Sequence, residues 1–125
     1  EIWQCDANGR YRHPRDPRPR SIDPGFQGFG YTRTDSAGRY RFLTIKPVPY
    51  PGRTPHIHVA VYPRRDRPFV TQLYMAGEPR NTEDFLYNRV PVETRHLVTS
   101  KFVRSKSSHS AFQADWDIIL DLSKA

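Results

Sequence analysis

The 125-residue chain has one cysteine, Cys5, and no long run of apolar residues. One thiol cannot form a disulfide within the chain, so the fold must rest on packing and on any metal it binds. We interpret Cys5 as structural rather than nucleophilic. A membrane-spanning helix needs about 18 or more consecutive apolar residues, and the mean hydropathy here is -0.79. The sequence therefore predicts no membrane span.

The chain also lacks the charged start and apolar stretch of a signal peptide. It opens on residues 1–4, Glu-Ile-Trp-Gln, which are typical of the middle or end of a strand. We expect an upstream segment in the natural protein, and without it a sheet edge would be exposed. A partner chain or a second copy is expected to cover that edge. A cytoplasmic location is favoured, with export possible if an upstream signal has been removed.

Helical periodicity is scarce, and short alternating segments are separated by 12 prolines and 7 glycines. This pattern predicts an all-β chain, a mainly antiparallel β-sandwich with long loops and little helix. Residues 1–125 are expected to form a single domain with one core. The predicted strands are residues 30–34 and 39–44, joined as a hairpin by 35–38, then 56–62, 69–75 and 115–120. A short helical turn at residues 81–87, capped by Asn81 or Thr82, and a basic, serine-rich loop at 103–110 complete the prediction.

His56 and His58 stand at the beginning of the predicted strand 56–62. Side chains at i and i+2 on a strand project from the same face, so one cation can bind both imidazoles. The pair alone is weak evidence, because two histidines at this spacing are also common as polar residues on a half-buried face. Tyr50 lies six positions before His56 and adds a phenol.

Several segments resemble, in order, the intradiol ring-cleavage dioxygenases, non-haem iron(III) enzymes that open catechol rings. They are most similar to the iron-bearing β subunit of protocatechuate 3,4-dioxygenases. The matching segments are GRYRH at residues 9–13, DPGFQGFG at 23–30, residues 32–40, TIKPVPYP at 44–51 and TQLY at 71–74. The resemblance covers about two thirds of the chain.

The resemblance implies that Tyr11, Tyr50, His56 and His58 hold iron(III). Phenolate oxygen is a hard anionic donor that suits a hard trivalent cation, and neutral imidazole complements it without adding charge. A free tyrosine has a pKa near 10, so its ionisation at neutral pH needs a strong positive charge such as the metal. Without the resemblance, Tyr11 is simply an aromatic residue on an arginine-rich loop, and Tyr50 a turn residue between two prolines.

The resemblance also implies intradiol cleavage of a catechol-type ring by dioxygen, giving a cis,cis-muconate-type product. Tyr50 is the candidate for the ligand that a catechol displaces, with His56 expected opposite it. Arg53 is expected to stabilise charge on the activated ring, and Gln72 to support Arg53 or the ligands. The alternative is a non-catalytic β-sandwich module that binds iron or a catechol.

The other three histidines have no partner at a useful spacing in the sequence. We expect His13 to line the mouth of the site or to contact the backbone near Tyr11, and His96 and His109 to lie at the surface.

Two features bear on the substrate. Gly52 stands where protocatechuate enzymes have a bulky tryptophan within a longer insertion, which predicts a more open pocket and broad use of catechols. Twenty basic and 13 acidic residues give a net charge of +7, and residues 10–20 hold five arginines among prolines. Steering of anionic catechols and plain solvation both explain that charge. Without a helix pattern or a stacking motif, we expect no nucleic-acid partner.

Overall fold

A computed structural model describes residues 1–16, 21–107 and 109–124. The strands are β1 (Ile2–Trp3), β2 (Phe29–Gly30), β3 (His56–Arg64), β4 (Arg67–Met75), β5 (Thr99–Ser100), β6 (Val103–Arg104) and β7 (Phe112–Gln113). The first five form one sheet in the order β2-β1-β3-β4-β5, and β6 and β7 form a separate two-stranded ribbon. Strands β4 and β5 are parallel, and the other four strand pairs are antiparallel.

Helical structure is short. Helix α1 (Phe85–Arg89) follows a 3-10 helix at Pro79–Glu83, and further 3-10 turns lie at Val92–Val98 and Leu122–Lys124. Asp84 caps α1 and accepts from the backbone N–H groups of Leu86 and Tyr87. The predicted cap at Asn81 or Thr82 is therefore wrong by two or three residues. Within the described ranges, no helix is long and apolar enough to cross a bilayer.

Strands β3 and β4 form a long hairpin that separates the core from the candidate site. Alternate residues of a strand face opposite sides, and Ile57 and Val59 pack with Leu73 into the buried apolar cluster. His56 and His58 therefore project from the other face. Burying apolar side chains on one face fixes the register, because a slip of one residue would place the histidines in the core.

Three predicted strands differ in the structure. Residues 31–34, 39–44 and 115–120 carry no strand, although the turn at 35–38 forms and the backbone N–H of Asp35 bonds to the carbonyl of Arg39. Residues 31–41 are all exposed, so the two arms of the predicted hairpin would gain little stability from strand pairing. In the segment 115–120, Trp116 and Ile118 do pack against the core cluster, as the alternation predicts. The loop predicted at 103–110 contains β6.

The predominance of strands and the scarcity of helix agree with the sequence, whereas a second sheet packed face to face as a sandwich is not established. The N-terminal strand β1 is not the exposed edge that the sequence predicts, and a partner chain stays a prediction. That strand lies between β2 and β3, with Ile2 opposite both Gly30 and Val59.

Candidate metal centre

Four side chains converge on the face of β3 opposite the core. They are the four predicted ligands, with the phenol oxygens of Tyr11 and Tyr50 and the Nε2 atoms of His56 and His58 turned towards one another. Tyr11 Oη lies 3.1 Å from Tyr50 Oη, 3.3 Å from His56 Nε2 and 3.0 Å from His58 Nε2. His56 Nε2 lies 3.3 Å from Tyr50 Oη and 3.2 Å from His58 Nε2.

These distances suit a common metal ion. Donor atoms about 3 Å apart can share a centre about 2 Å away, which is a usual length for a bond from a metal to nitrogen or oxygen. Donors on opposite sides of an ion would be about 4 Å apart. At 3.3 Å, Tyr50 and His56 are neighbours, so the expectation that they lie opposite each other is wrong.

A tight turn positions Tyr50. The backbone N–H of Arg53 donates to the carbonyl of Tyr50 at 2.9 Å, and Gly52 has a φ of +81°. With Pro51 before it, this is a type II β-turn, whose third residue needs a positive φ. No atom lies within 4 Å of a Cβ built on Gly52. The glycine is thus required by the backbone as well as leaving space beside the site.

The loop before Tyr11 is held by two carboxylates. Asp6 is buried and accepts from the backbone N–H groups of Asn8, Arg10 and Asp23. Asp16 accepts from the backbone N–H of Tyr11 at 3.0 Å. These bonds turn the chain so that Tyr11 reaches Tyr50.

Gly9 provides the close approach in this loop. Its φ is +77°, and a Cβ there would lie 3.2 Å from the Cβ of Tyr50. A side chain at this position would therefore press on the second phenol.

His56 is oriented by a strong hydrogen bond. Its Nδ1 lies 2.7 Å from the carbonyl of Thr54, and since a carbonyl only accepts, Nδ1 carries the proton. The lone pair of a neutral ring is then on Nε2, which faces the other donors. Burial lowers the pKa of His56 to about 4, so the ring is neutral at pH 7.

His58 is held mainly by packing. Its ring stacks on Trp3, with centroids 5.0 Å apart and planes 3° from parallel, and its Nδ1 lies 3.4 Å from Gln72 Nε2. Burial, followed by the neighbouring His56 and Arg53, lowers the pKa of His58 to about 4. Both imidazoles are therefore uncharged and able to bind a cation.

Tyr11 is protonated in the absence of a cation. Burial, followed by the hydrogen bond to Tyr50, raises the pKa of Tyr11 above its ordinary value. A nearby metal ion reverses this tendency, because its charge favours phenolate. No cluster of three or more His, Cys, Asp or Glu side chains in the described part of the chain could hold a metal, so the phenols are essential to this donor set.

Arg53 and Gln72 lie together beside the histidines, as the sequence predicts. Arg53 donates through Nε to Asp84 Oδ2 at 2.8 Å and through its terminal nitrogen to Gln72 Oε1 at 2.5 Å. Burial opposes the charge of Arg53, but the bond to Asp84 raises its pKa above the ordinary value. Tyr74 donates to the same oxygen of Gln72 at 3.0 Å. The guanidinium thus stays charged close to the donor set.

Sequence reasoning missed Trp3, Thr54, Tyr74 and Asp84. Trp3 and Tyr74 carry a signal that strand pairing would reveal, because they lie opposite His58 and His56, respectively, in the strand register. Asp84 has none, since it is 31 residues from its ion-pair partner Arg53.

The remaining histidines and arginines have local roles. His13, His96 and His109 are exposed, and His13 Nδ1 accepts from the backbone N–H of Arg15. Arg12 donates to the carbonyls of Phe26, Asp23 and Pro24, and Arg10 donates to the carbonyl of Asp16. Two of the five loop arginines therefore hold loop backbone, while Arg18 and Arg20, like Ser108 of the serine-rich stretch, lie outside the described residues.

Three curated proteins show what this chain is similar to. A protocatechuate 3,4-dioxygenase beta chain from Burkholderia cepacia is 37% identical over 129 residues, covering 96% of this chain and 55% of the relative. A hydroxyquinol 1,2-dioxygenase from Corynebacterium glutamicum is 32% identical over 64% of this chain and 31% of the relative. A catechol 1,2-dioxygenase from Acinetobacter baylyi is 32% identical over 70% of this chain and 33% of the relative. The chain thus spans about a third to a half of these curated relatives.

A solved structure and a family match lead to the same group. The dioxygenase domain of a dioxygenase carbohydrate-binding protein fusion from Streptomyces sp. SirexAA-E has a TM-score of 0.69 and 32% identity, covering 96% of this chain and 65% of that chain. The family model described as "Dioxygenase" matches residues 1–122. The named relatives are intradiol ring-cleaving enzymes. The prediction from the sequence is confirmed: this chain belongs to the intradiol dioxygenase family.

Proposed function

We propose that this chain binds iron(III) through Tyr11, Tyr50, His56 and His58 and uses it in the intradiol cleavage of a catechol-type ring by dioxygen. The observation that carries the proposal is the convergence of two phenol oxygens and two imidazole nitrogens at 3.0 to 3.3 Å. Iron(III) when bound would withdraw electron density from a catecholate and make its ring reactive towards dioxygen.

Tyr50 is the proposed proton acceptor. A catechol hydroxyl must lose its proton to bind as an oxyanion, and the phenolate of Tyr50 would be a base within reach of it. Tyr50 is suited to this role because it is the first residue of a turn, whereas Tyr11 lies among all three other donors. Tyr50 Oη would take one catechol proton, and Tyr11 would keep its position.

Arg53 is proposed to stabilise negative charge on the bound ring. Its side chain is 10% exposed and its partner Asp84 is fully buried, so its charge is poorly screened by solvent. Gln72 limits the motion of the guanidinium through the 2.5 Å bond. A fixed cation next to developing negative charge lowers a reaction barrier without reorganisation.

The decisive experiment combines metal binding with turnover. The purified chain is loaded with iron(III), and its visible spectrum, iron content, oxygen uptake and muconate absorbance with catechol are measured. We expect a tyrosinate-to-iron charge-transfer band with one iron per chain, and oxygen uptake matched by product. Colour without oxygen uptake would instead identify the non-catalytic iron-binding module.

Tyr50→Phe tests the assignment of the phenol. It removes one donor oxygen, so we expect weaker colour and a loss of turnover of about a hundredfold or more. Tyr31→Phe is the matched control, because Tyr31 is 75% exposed and has no contact with the donor set. Full colour and turnover in Tyr50→Phe would contradict the proposed ligand and base.

We propose a broad choice of catechols. Gly52 places no side chain beside Tyr50 and Arg53, and the space around its Cβ position is open. One missing pocket side chain changes discrimination by about 1 to 3 kcal/mol. Oxygen uptake with catechol, a 4-substituted catechol, protocatechuate and hydroxyquinol should therefore differ modestly in kcat/KM. A preference above about a thousandfold for one compound would exceed that range and contradict the proposal.

A further inference from the structure

One buried carboxylate contacts two separate supports of the candidate site. The side chain of Asp84 is 0% exposed. Its Oδ2 accepts from Arg53 Nε at 2.8 Å and from the backbone N–H of Thr54 at 2.9 Å. Its Oδ1 accepts from the backbone N–H groups of Leu86 and Tyr87 at 3.0 and 2.9 Å. All four donors approach a group that can accept about four hydrogen bonds.

The first support is Thr54, which connects Asp84 to His56. Thr54 is 1% exposed, and its hydroxyl donates to Asn81 Oδ1 at 2.7 Å. Its N–H is bound by Asp84, and its carbonyl accepts from Nδ1 of His56 at 2.7 Å. A peptide held at both sides leaves the imidazole little freedom to turn.

The second support is Arg53, which connects Asp84 to the neighbourhood of His58. Arg53 binds Gln72 at 2.5 Å, and Gln72 Nε2 lies 3.4 Å from His58 Nδ1. The carboxylate therefore fixes the guanidinium in one position relative to both rings.

We propose that Asp84 is a positioning residue for the iron site, acting on His56 through Thr54 and on Gln72 through Arg53. This inference rests on the proposed iron site and extends it to a residue without contact with the donor atoms. Partners of metal ligands commonly change metal affinity by about 10- to 100-fold when they are removed.

Asp84→Asn tests the proposal because an amide, unlike a carboxylate, cannot accept hydrogen bonds through both of its terminal atoms. One of its atoms is an NH₂ donor, which would face N–H groups either of Arg53 and Thr54 or of α1. We expect iron binding, measured by competition with a chelator, to weaken at least about tenfold. The charge-transfer band should also shift or broaden.

Glu78→Gln is the matched control. Glu78 also caps a helical turn, accepts from the backbone N–H of Arg80 and pairs with its side chain at 3.3 Å. It has no bond to Thr54 or Arg53. Iron affinity in this variant should stay within about threefold of wild type, because the loss of an outer cap alone does not reach the ligands.

A measurement without metal separates this proposal from the proposed function. Nitrogen NMR of the imidazoles should show His56 protonated at Nδ1 in the wild type and in Glu78→Gln, and a mixture of tautomers in Asp84→Asn. An unchanged His56 tautomer together with unchanged iron affinity in Asp84→Asn would overturn the role of Asp84. Absence of iron binding in the wild type would overturn the proposed function, while the tautomer still reports on Asp84.

A second pair of variants tests the role of Asp84 even if Asp84→Asn does not fold. Arg53→Gln and the double variant Arg53→Gln/Asp84→Asn leave no uncompensated buried cation. If Asp84 orients His56 through Thr54, the double variant should bind iron at least about threefold more weakly than Arg53→Gln alone. Equal affinities would overturn the link through Thr54.

Discussion

The two histidines of the candidate centre share a strand and a face but are held in different ways. His56 is 1% exposed, and a directional bond to the Thr54 carbonyl determines its tautomer. His58 is half-buried, rests against Trp3 and has only a 3.4 Å contact at Nδ1. A hydrogen bond specifies both ring rotation and protonation, whereas stacking specifies only the plane.

The two supports also come from different parts of the chain. His56 depends on Asp84, 30 residues beyond Thr54 and next to a short helix. His58 depends on Trp3, its direct neighbour across the β1–β3 pairing. The comparison indicates that changes near Asp84 should affect the site electrostatically and in a pH-dependent way. Changes at Trp3 should act through packing.

The largest effect on stability is expected for Asp84→Asn in the metal-free chain. Breaking a buried ion pair leaves Arg53 without its partner and should lower the free energy of unfolding by about 3 kcal/mol at pH 7. Urea unfolding measures this value. Asp35→Asn is the control, because Asp35 also pairs with an arginine but lies on an exposed turn. A comparable loss in both variants would contradict the special role of the buried pair.

The same pair predicts the response to acid. Burial opposes ionisation of Asp84, but bonds from Tyr87, Arg53 and Thr54 lower its pKa below the ordinary value. Since the unfolded chain takes up the proton first, this stabilisation is complete above about pH 4 and is lost as pH falls through the folded-state pKa. Wild type should therefore lose stability more steeply below pH 4 than Asp84→Asn. Parallel pH curves would exclude this contribution.

Gly52→Ala should lower the free energy of unfolding by an intermediate amount. A non-glycine residue with positive φ costs about 1 to 2 kcal/mol. Gly38→Ala is a close control, because Gly38 has a φ of +78° and also has nothing within 4 Å of its Cβ position. Both variants should lose similar stability by urea unfolding, but only Gly52→Ala should weaken iron binding, since its turn holds Tyr50 and Arg53. Equal iron affinities would show that the turn does not position the ligand.

The smallest loss of stability is expected for Trp3→Leu, which removes the ring stacked on His58. Loss of the stacked pair should cost about 1 kcal/mol of stability. Iron affinity should fall modestly without a change in the His56 tautomer, because the Thr54 bond is untouched. Trp116→Leu is the control, since Trp116 donates to the Leu97 carbonyl and packs on the core face. If Trp116→Leu weakened iron binding as much, stacking on His58 would not be the cause.

Local pattern was enough to predict the ligand strand, whereas the two phenol donors were predicted only from the resemblance to a known family. The spacing of His56 and His58 and the β-rich residues after them correctly predicted β3, and apolar residues 69–75 predicted most of β4. The hairpin arms at 31–34 and 39–44 failed because strand formation needs a partner edge, which alternation alone does not reveal. The segment 115–120 shows the same limit, with correct inward faces at Trp116 and Ile118 but no ladder.

The amino-acid sequence alone determined the chemistry available to this protein: two phenols, two imidazoles on one strand face, and an arginine beside them. The shared face of the two imidazoles follows from the period of two along a strand, whereas the roles of the two phenols and the arginine follow from the resemblance to the dioxygenase family. Only the tertiary structure decided that Tyr11 and Tyr50 meet the histidines, and that Asp84 and Trp3 hold them. Apart from the contact between Tyr50 and His56, such contacts join residues that are tens of positions apart, and loop closure and packing, rather than local preference, bring them together.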